Sequence, residues 1–157
     1  MLQILQANTT QNFEFSRALI KEYTVSLDFD LDFQNFKEEL VNLPGDYTPP
    51  DGCLLIAFWQ EQVTGCVALR KLEDRICEMK RLYVKPQFQG KGIGKALAEA
   101  IIEKARKIGY FRMCLDTISS MDRARALYLS LGFKEIAPYR YNPIEGAAFM
   151  ELGLTQK

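Results

Sequence analysis

The chain has 157 residues, with 20 Lys and Arg against 20 Asp and Glu, so its formal net charge at pH 7 is zero. Apolar residues make up 48% and charged residues 25%, an ordinary balance for a globular protein, and a single domain over 1–157 is expected. Neutrality argues against a nucleic-acid or anionic-membrane partner, and the absence of histidine removes Ser-His-Asp, Cys-His and histidine-ligated metal chemistry.

A short strand is expected at 2–7, followed by a helix over 11–27 on which Phe15, Leu19, Tyr23 and Leu27 recur every four residues. SLDFDLDF (26–33) leads into a shorter helix near 33–41, and the Pro- and Gly-punctuated stretch 42–52 reads as a loop. Strands at 53–59, 65–72 and 77–84 form a meander. A long amphipathic helix at 92–108 buries Leu97, Ala98, Ile101, Ile102, Ala105 and Ile108 on one face, with Gly109 just past its end. A strand at 110–117 follows. Ser119 and Asp122 resemble a capping box opening a helix that ends at Gly132, and strands near 133–138 and 147–153 close the chain. That order describes a mixed α/β domain on one largely antiparallel sheet of six to seven strands, with about four helices and a parallel crossover through 92–108.

Cys53, Cys66, Cys77 and Cys114 show no metal or redox spacing and read as buried, reduced thiols. MLQILQANTT is unlike a signal peptide, and no apolar run approaches ~20 residues. A cytoplasmic location is the expectation.

The most informative stretch is Gln89-Gly90-Lys91-Gly92-Ile93-Gly94, between a strand and the start of the strongest helix. Glycines there let the backbone approach a ligand and aim several N–H groups at it. The helix N-terminus then favours an anion, and Lys91 and Lys95 add charge. A P-loop needs four residues between its glycines and a hydroxyl after its lysine, whereas Gly90 and Gly94 enclose three and Lys95 precedes Ala96. A dinucleotide fingerprint needs G-x-G-x-x-G, and this chain reads G-x-G-x-G. Neither fits.

Gln89-x-x-Gly92-x-Gly94 resembles the Q/R-x-x-G-x-G/A motif of the GNAT superfamily of acetyl-CoA-dependent N-acetyltransferases. EMKRLYV (78–84) resembles that family's fourth strand, and Ala124-x-x-Leu127-Tyr128-x-x-x-Gly132-Phe133 its last helix and following strand. The element order agrees along nearly the whole chain. The resemblance implies a GNAT acyl-CoA N-acyltransferase fold, acetyl-CoA as co-substrate, no metal, and direct transfer to a primary amine in a ternary complex. The acceptor would be a small molecule or a protein amine, and the chain a monomer or homodimer. A catalytically silent acyl-CoA-binding or regulatory module is the alternative reading.

In the strand 77–84 the alternation slips at Lys80-Arg81, and one extra residue there, a β-bulge, would restore a continuous buried face. The family splays this strand to bind the pantetheine arm. The resemblance therefore assigns cofactor contacts to Leu82, Tyr83 and Val84 and to the turn residues Gln89, Gly90, Lys91, Gly92, Ile93, Gly94 and Lys95. The Val84 N–H would polarise the thioester carbonyl. Glu78 occupies the place of a base in some members, and Tyr128 that of the general acid toward the sulfur. A solvated strand carboxylate and a core aromatic are the respective structural alternatives. Met121 stands where many members carry a cofactor-contacting asparagine; Arg123 or Arg125 could compensate, or simply lie on a solvated face. Cys114 remains open as a nucleophile. On the acceptor side, Asp28, Asp30, Asp32, Asp46 and Asp51, with Tyr139, Tyr141 and Asn142, would attract a cationic amine, or serve as solvated loop residues.

Overall fold

The computed structural model describes residues 1–26, 36–117, 122–142 and 146–154. The elements in chain order are β1 (Leu2–Gln6), α1 (Thr10–Ser26), α2 (Phe36–Val41), β2 (Cys53–Trp59), β3 (Gln62–Glu73), β4 (Ile76–Val84), α3 (Ile93–Ile108), β5 (Arg112–Thr117), α4 (Asp122–Ser130), β6 (Lys134–Ile136) and β7 (Ala148–Gly153). A 3-10 turn at Pro86–Phe88 links β4 to the glycine-rich stretch. The expected residues 33–35, Asp28, Asp30, Asp32, Ser119 and Met121 lie outside the described residues.

Among the described residues the strands form one seven-stranded sheet in the order β1-β2-β3-β4-β5-β7-β6. Every neighbouring pair is antiparallel except β4 and β5, which run parallel across the α3 crossover. β3 starts at Gln62, earlier than the expected 65, because Gln60 and Glu61 take positive φ of 50° and 70° and reverse the chain in two residues. No glycine signals that turn, so the sequence leaves 60–64 as a connection.

Helix α3 covers one face of the sheet. Leu97, Ile101 and Ala105 are buried against Leu55, Val67, Leu69, Cys77 and Met79, with Tyr128 and Phe133 completing the cluster. Truncating Leu97 to alanine there would cost about 3 kcal/mol and loosen the helix that carries the glycine turn. Helices α1 and α2 cover the other face, where Leu19, Ile20 and Phe36 meet Leu54, Ile56, Cys66, Ala68 and Tyr83.

The phase slip in β4 is a bulge. Ala68 pairs with Lys80 and Cys66 with Tyr83, so Val67 alone faces both Arg81 and Leu82. Arg81 takes φ 59° to make room for the extra residue. As a result Cys77, Met79, Leu82 and Val84 all pack toward α3. Pairing of β4 with β5 stops at Glu78–Cys114, and beyond it the two strands diverge. The sheet forks there.

Candidate active site

The open fork leads to a cleft of about 450 Å³. Leu82, Tyr83 and Val84 line one wall, Gln89, Gly90, Gly92, Ile93, Gly94 and Lys95 the end, and Arg123, Ala124 and Leu127 of α4 the opposite side. Tyr23, Ser26 and Phe88 also border it, and no motif marked them beforehand. Lys91 points elsewhere, its Nζ 6.0 Å from the centre of the Trp59 ring.

Gly90 and Gly92 have φ of 84° and 81°, in the left-handed region that suits glycine. A Cβ on either would meet nothing within 4 Å, so these glycines serve the chain's direction and leave its outer side open to a ligand. Gly92 caps α3 without a side-chain hydrogen bond, which leaves first-turn N–H groups for an anion. Gln89 Nε2 donates to the Val84 carbonyl at 3.1 Å and ties the turn to the strand end. Arg123 Nη1 reaches Gln89 Oε1 at 3.4 Å, whereas Arg125 goes to Glu135 on β6 at 3.4 Å. Of the two arginines, Arg123 borders the cleft.

The Lys85 N–H donates to the Thr64 carbonyl at 2.8 Å. Peptide groups alternate in direction along a strand, so the N–H and C=O of Val84 turn away from β3, toward the fork. The cleft thus has a helix N-terminus suited to an anion at one end and an apolar wall along which the Val84 N–H turns inward. A molecule with a pyrophosphate and a slender amide-bearing arm fits both.

On the α1–α2 face, at the base of the fork, lies a separate polar cluster. Glu78 is fully buried; it accepts from Arg70 Nε at 2.8 Å, from the Tyr139 hydroxyl at 2.7 Å, and from Arg140 Nη2. Burial pushes the Glu78 carboxyl up, but Lys80, Arg140, Arg70 and the Tyr139 hydroxyl together hold it below the usual carboxylate range. Burial pushes the Lys80 ammonium down to about 8, against the pull of Glu78. Beside them, Arg81 pairs with Glu39 through bonds of 2.8 and 2.7 Å, and the Tyr83 hydroxyl donates to Glu22 at 2.6 Å.

Tyr128 is buried in the α3-side core, 5.7 Å ring to ring from Phe133. Burial raises its phenol, with Tyr23 and Asp116 acting in the same direction. Cys114 is buried and its thiol is pushed up to about 11, so it is protonated at neutral pH and a poor nucleophile. The two described acids of the expected acceptor group stand apart from the cleft. Asp46 is mostly exposed, 3.8 Å from Arg70, and the Asp51 carbonyl accepts from Tyr110 at 2.6 Å. The charges actually gathered at the fork are Glu78, Asp116, Arg70, Lys80 and Arg140. The sequence marked only Glu78 among them, since the others carry no local motif. Among the described residues no helix is long and apolar enough to cross a membrane.

Comparison with known proteins agrees with this geometry. The model of the acetyltransferase (GNAT) family matches residues 14–133. An uncharacterized N-acetyltransferase of Schizosaccharomyces pombe is 37% identical over 99% of this chain and 96% of its own. A GNAT-family acetyltransferase from Staphylococcus aureus superposes with a TM-score of 0.80 at 21% identity, covering 99% of this chain and 100% of that one. An N-acetyltransferase from Thermoplasma acidophilum, solved in complex with coenzyme A, superposes at 0.72 with 18% identity, covering 98% of this chain and 99% of that one. With a forked mixed sheet, a glycine-rich turn at its mouth and a relative aligned along nearly its whole length, the chain belongs to the GNAT family and is an acetyl-CoA-dependent N-acetyltransferase.

Proposed function

We propose that the chain, as one domain, moves the acetyl group of acetyl-CoA directly to a primary amine while both substrates are bound. The observation that carries this reading is the fork between β4 and β5, open from Glu78 onward and ending at the Gln89–Lys95 turn. In this reading the amides of Gly90, Gly92, Ile93 and Gly94 hold the pyrophosphate, with Lys95 and Arg123 supplying positive charge around it. Leu82, Tyr83 and Val84 line the pantetheine arm. The Val84 N–H donates to the thioester oxygen and stabilises the charge that develops there as the amine attacks.

An amine of pKa near ~10 needs a proton acceptor at neutral pH. Glu78 takes this role, since it is ionised and lies on the acceptor face. Its depressed pKa and its bonds to Arg70, Tyr139 and Arg140 make it a weak base, so its share of the rate is small. Tyr128, protonated at neutral pH, donates its hydroxyl proton to the departing thiolate. The buried thiols favour direct transfer over a cysteine acyl-enzyme, and they suit a reducing compartment such as the cytoplasm.

Release of free coenzyme A thiol across a panel of amines tests the reading. Initial-rate lines that intersect when both substrates are varied support a ternary complex; parallel lines would replace it with an acyl-enzyme route.

A further inference from the structure

The fork has two faces, and α1 borders it from the side opposite α3. Leu82 and Val84 pack toward α3 with Tyr128, whereas Tyr83 packs toward α1 and α2 with Tyr23. Of the aromatic side chains of α1, that of Tyr23 lines the cleft, beside Leu82, Tyr83 and Val84. Its ring stands edge-on to that of Tyr83, with centres 5.8 Å apart and planes at 63°. Tyr83 is itself fixed, since its hydroxyl donates to Glu22 at 2.6 Å and Glu22 lies 3.5 Å from Lys85 Nζ. Helix α1 and the end of β4 thus hold the Tyr23 ring in place.

Tyr23 and Tyr128 act on each other electrostatically, and Asp116 on β5 acts on both. One phenol therefore approaches the parted strands from each face. Burial raises the Tyr23 phenol, against the pull of Arg81, so it is protonated at neutral pH. Among the described residues its hydroxyl makes no hydrogen bond. The other hydroxyls bordering the cleft on this side are engaged, Tyr83 with Glu22 and Ser26 with the Tyr23 carbonyl at 2.6 Å. A phenol oxygen both donates and accepts, so Tyr23 keeps its full bonding capacity for a ligand.

We propose that Tyr23 is a further catalytic residue, whose hydroxyl oxygen accepts an N–H of the acceptor amine and aims the nitrogen lone pair at the thioester carbon. The proposal rests on the reading of the chain as an amine acetyltransferase. With the thioester oxygen on the Val84 N–H and the sulfur toward Tyr128, the open face of the carbonyl is the one toward α1. The amine attacks from there as a neutral molecule. Its lone pair forms the N–C bond, and the C–S pair leaves with the sulfur, which takes the Tyr128 proton. The surplus nitrogen proton goes to Glu78, and Tyr23 keeps its own. Nitrogen gains positive charge as the bond forms, so the hydrogen bond to Tyr23 is stronger in the transition state than before it, and that difference lowers the barrier.

The test is Tyr23→Phe, assayed by release of coenzyme A thiol with the amine that wild type acetylates best. kcat should fall ~5- to 30-fold, the range of one hydrogen bond that gains charge. Acetyl-CoA affinity by calorimetry and the thermal midpoint should stay close to wild type. The loss should be equal at neutral and mildly alkaline pH, because Tyr23 positions the amine and takes no proton. A loss carried by acetyl-CoA affinity would overturn the proposal, as would one that recovers at alkaline pH. If Tyr23→Phe fails to fold, Tyr23→Gln and Tyr23→Leu decide. The amide oxygen in Tyr23→Gln can accept the same bond, so that variant should turn over several-fold faster, and equal rates would overturn the proposal. Wild-type kcat in Tyr23→Phe would sink it and leave the amine reading standing. Binding of acetyl-CoA with no amine acetylated by wild type would sink both.

Discussion

Glu78 on β4 and Arg140 on the β6–β7 connection, 62 residues apart in sequence, meet in a part-buried ion pair where the sheet forks. Arg70 and Tyr139 complete the shell around the carboxylate. The pair therefore staples the β6–β7 connection to the strand that lines the cleft. Its stability has a definite sign with pH. The folded-state pKa of Glu78 is depressed, so the contribution is present above the ordinary carboxylate pKa and is lost as pH falls through the lower folded value.

Glu78→Gln should therefore destabilise the protein by about 2–3 kcal/mol at pH 7, since it leaves Arg70 and Arg140 short of a charge in the interior. The difference from wild type should shrink as pH is lowered into the carboxylate range, which thermal melts at several pH values would show. The same variant tests the proton-acceptor role. A loss of rate concentrated near neutrality, with recovery at alkaline pH where the amine is already neutral, supports it. A uniform loss assigns Glu78 to positioning, and no loss leaves it structural.

Gly92→Asp tests the glycine turn. Gly92 sits at φ 81° with open space beyond it, so an aspartate costs about 1 kcal/mol in backbone strain without a clash. Its carboxylate would stand at the α3 N-terminus, where the turn is to receive an anion. Acetyl-CoA binding by calorimetry should be abolished, with the fold intact by circular dichroism. Unchanged affinity would remove the turn from the cofactor site.

The β4 bulge was legible because strand alternation is strict, and a slip at Lys80-Arg81 admits few physical explanations. The glycine turn was legible because left-handed backbone at a helix start has a local compositional signature. Long-range pairing has none. Nothing near Arg140 indicates that it bonds to Glu78, and nothing near Arg70 indicates that it does so from β3. The acidic residues of the acceptor loops drew attention by composition, yet Asp46 is mostly exposed and Asp51 contributes a backbone carbonyl. The second carboxylate at the fork, beside Glu78, is Asp116, which looks in sequence like any polar strand residue.

Arg123 is the side chain that distinguishes the two arginines of α4. It borders the cleft and touches Gln89 at 3.4 Å, whereas Arg125 is engaged with Glu135. Arg123→Ala should weaken acetyl-CoA binding by ~5-fold, about 1 kcal/mol for an exposed charge near phosphate, with kcat little changed. The loss should diminish at high ionic strength as the wild-type advantage is screened. Arg125→Ala is the control and should leave the affinity as it is. Equal effects from both would mean general electrostatics and no specific contact.

Tyr128→Phe addresses the proton that the departing thiolate needs. The ring is buried beside Phe133, with Ala124, Leu127 and Leu131 packed against the same cluster, so phenylalanine fills its place without a cavity. Only the hydroxyl is lost. Burial raises the phenol above its ordinary ~10, so at pH 7 it is protonated and able to donate, though a weaker acid than a free tyrosine. A thiolate of pKa ~8.5 is already a fair leaving group. The expected benefit is accordingly modest, at or below the ~10²-fold usual for general acid catalysis. The variant should show a lower kcat, a thermal midpoint close to wild type and nearly the same affinity for acetyl-CoA. A thioester with a better leaving thiol should narrow the gap between the two enzymes, since it depends less on a proton. If Tyr128→Phe matches wild type with a good acceptor, in a regime where a pre-steady-state burst is absent, the hydroxyl has no part in the chemistry. Tyr128 is then an aromatic of the α3-side core.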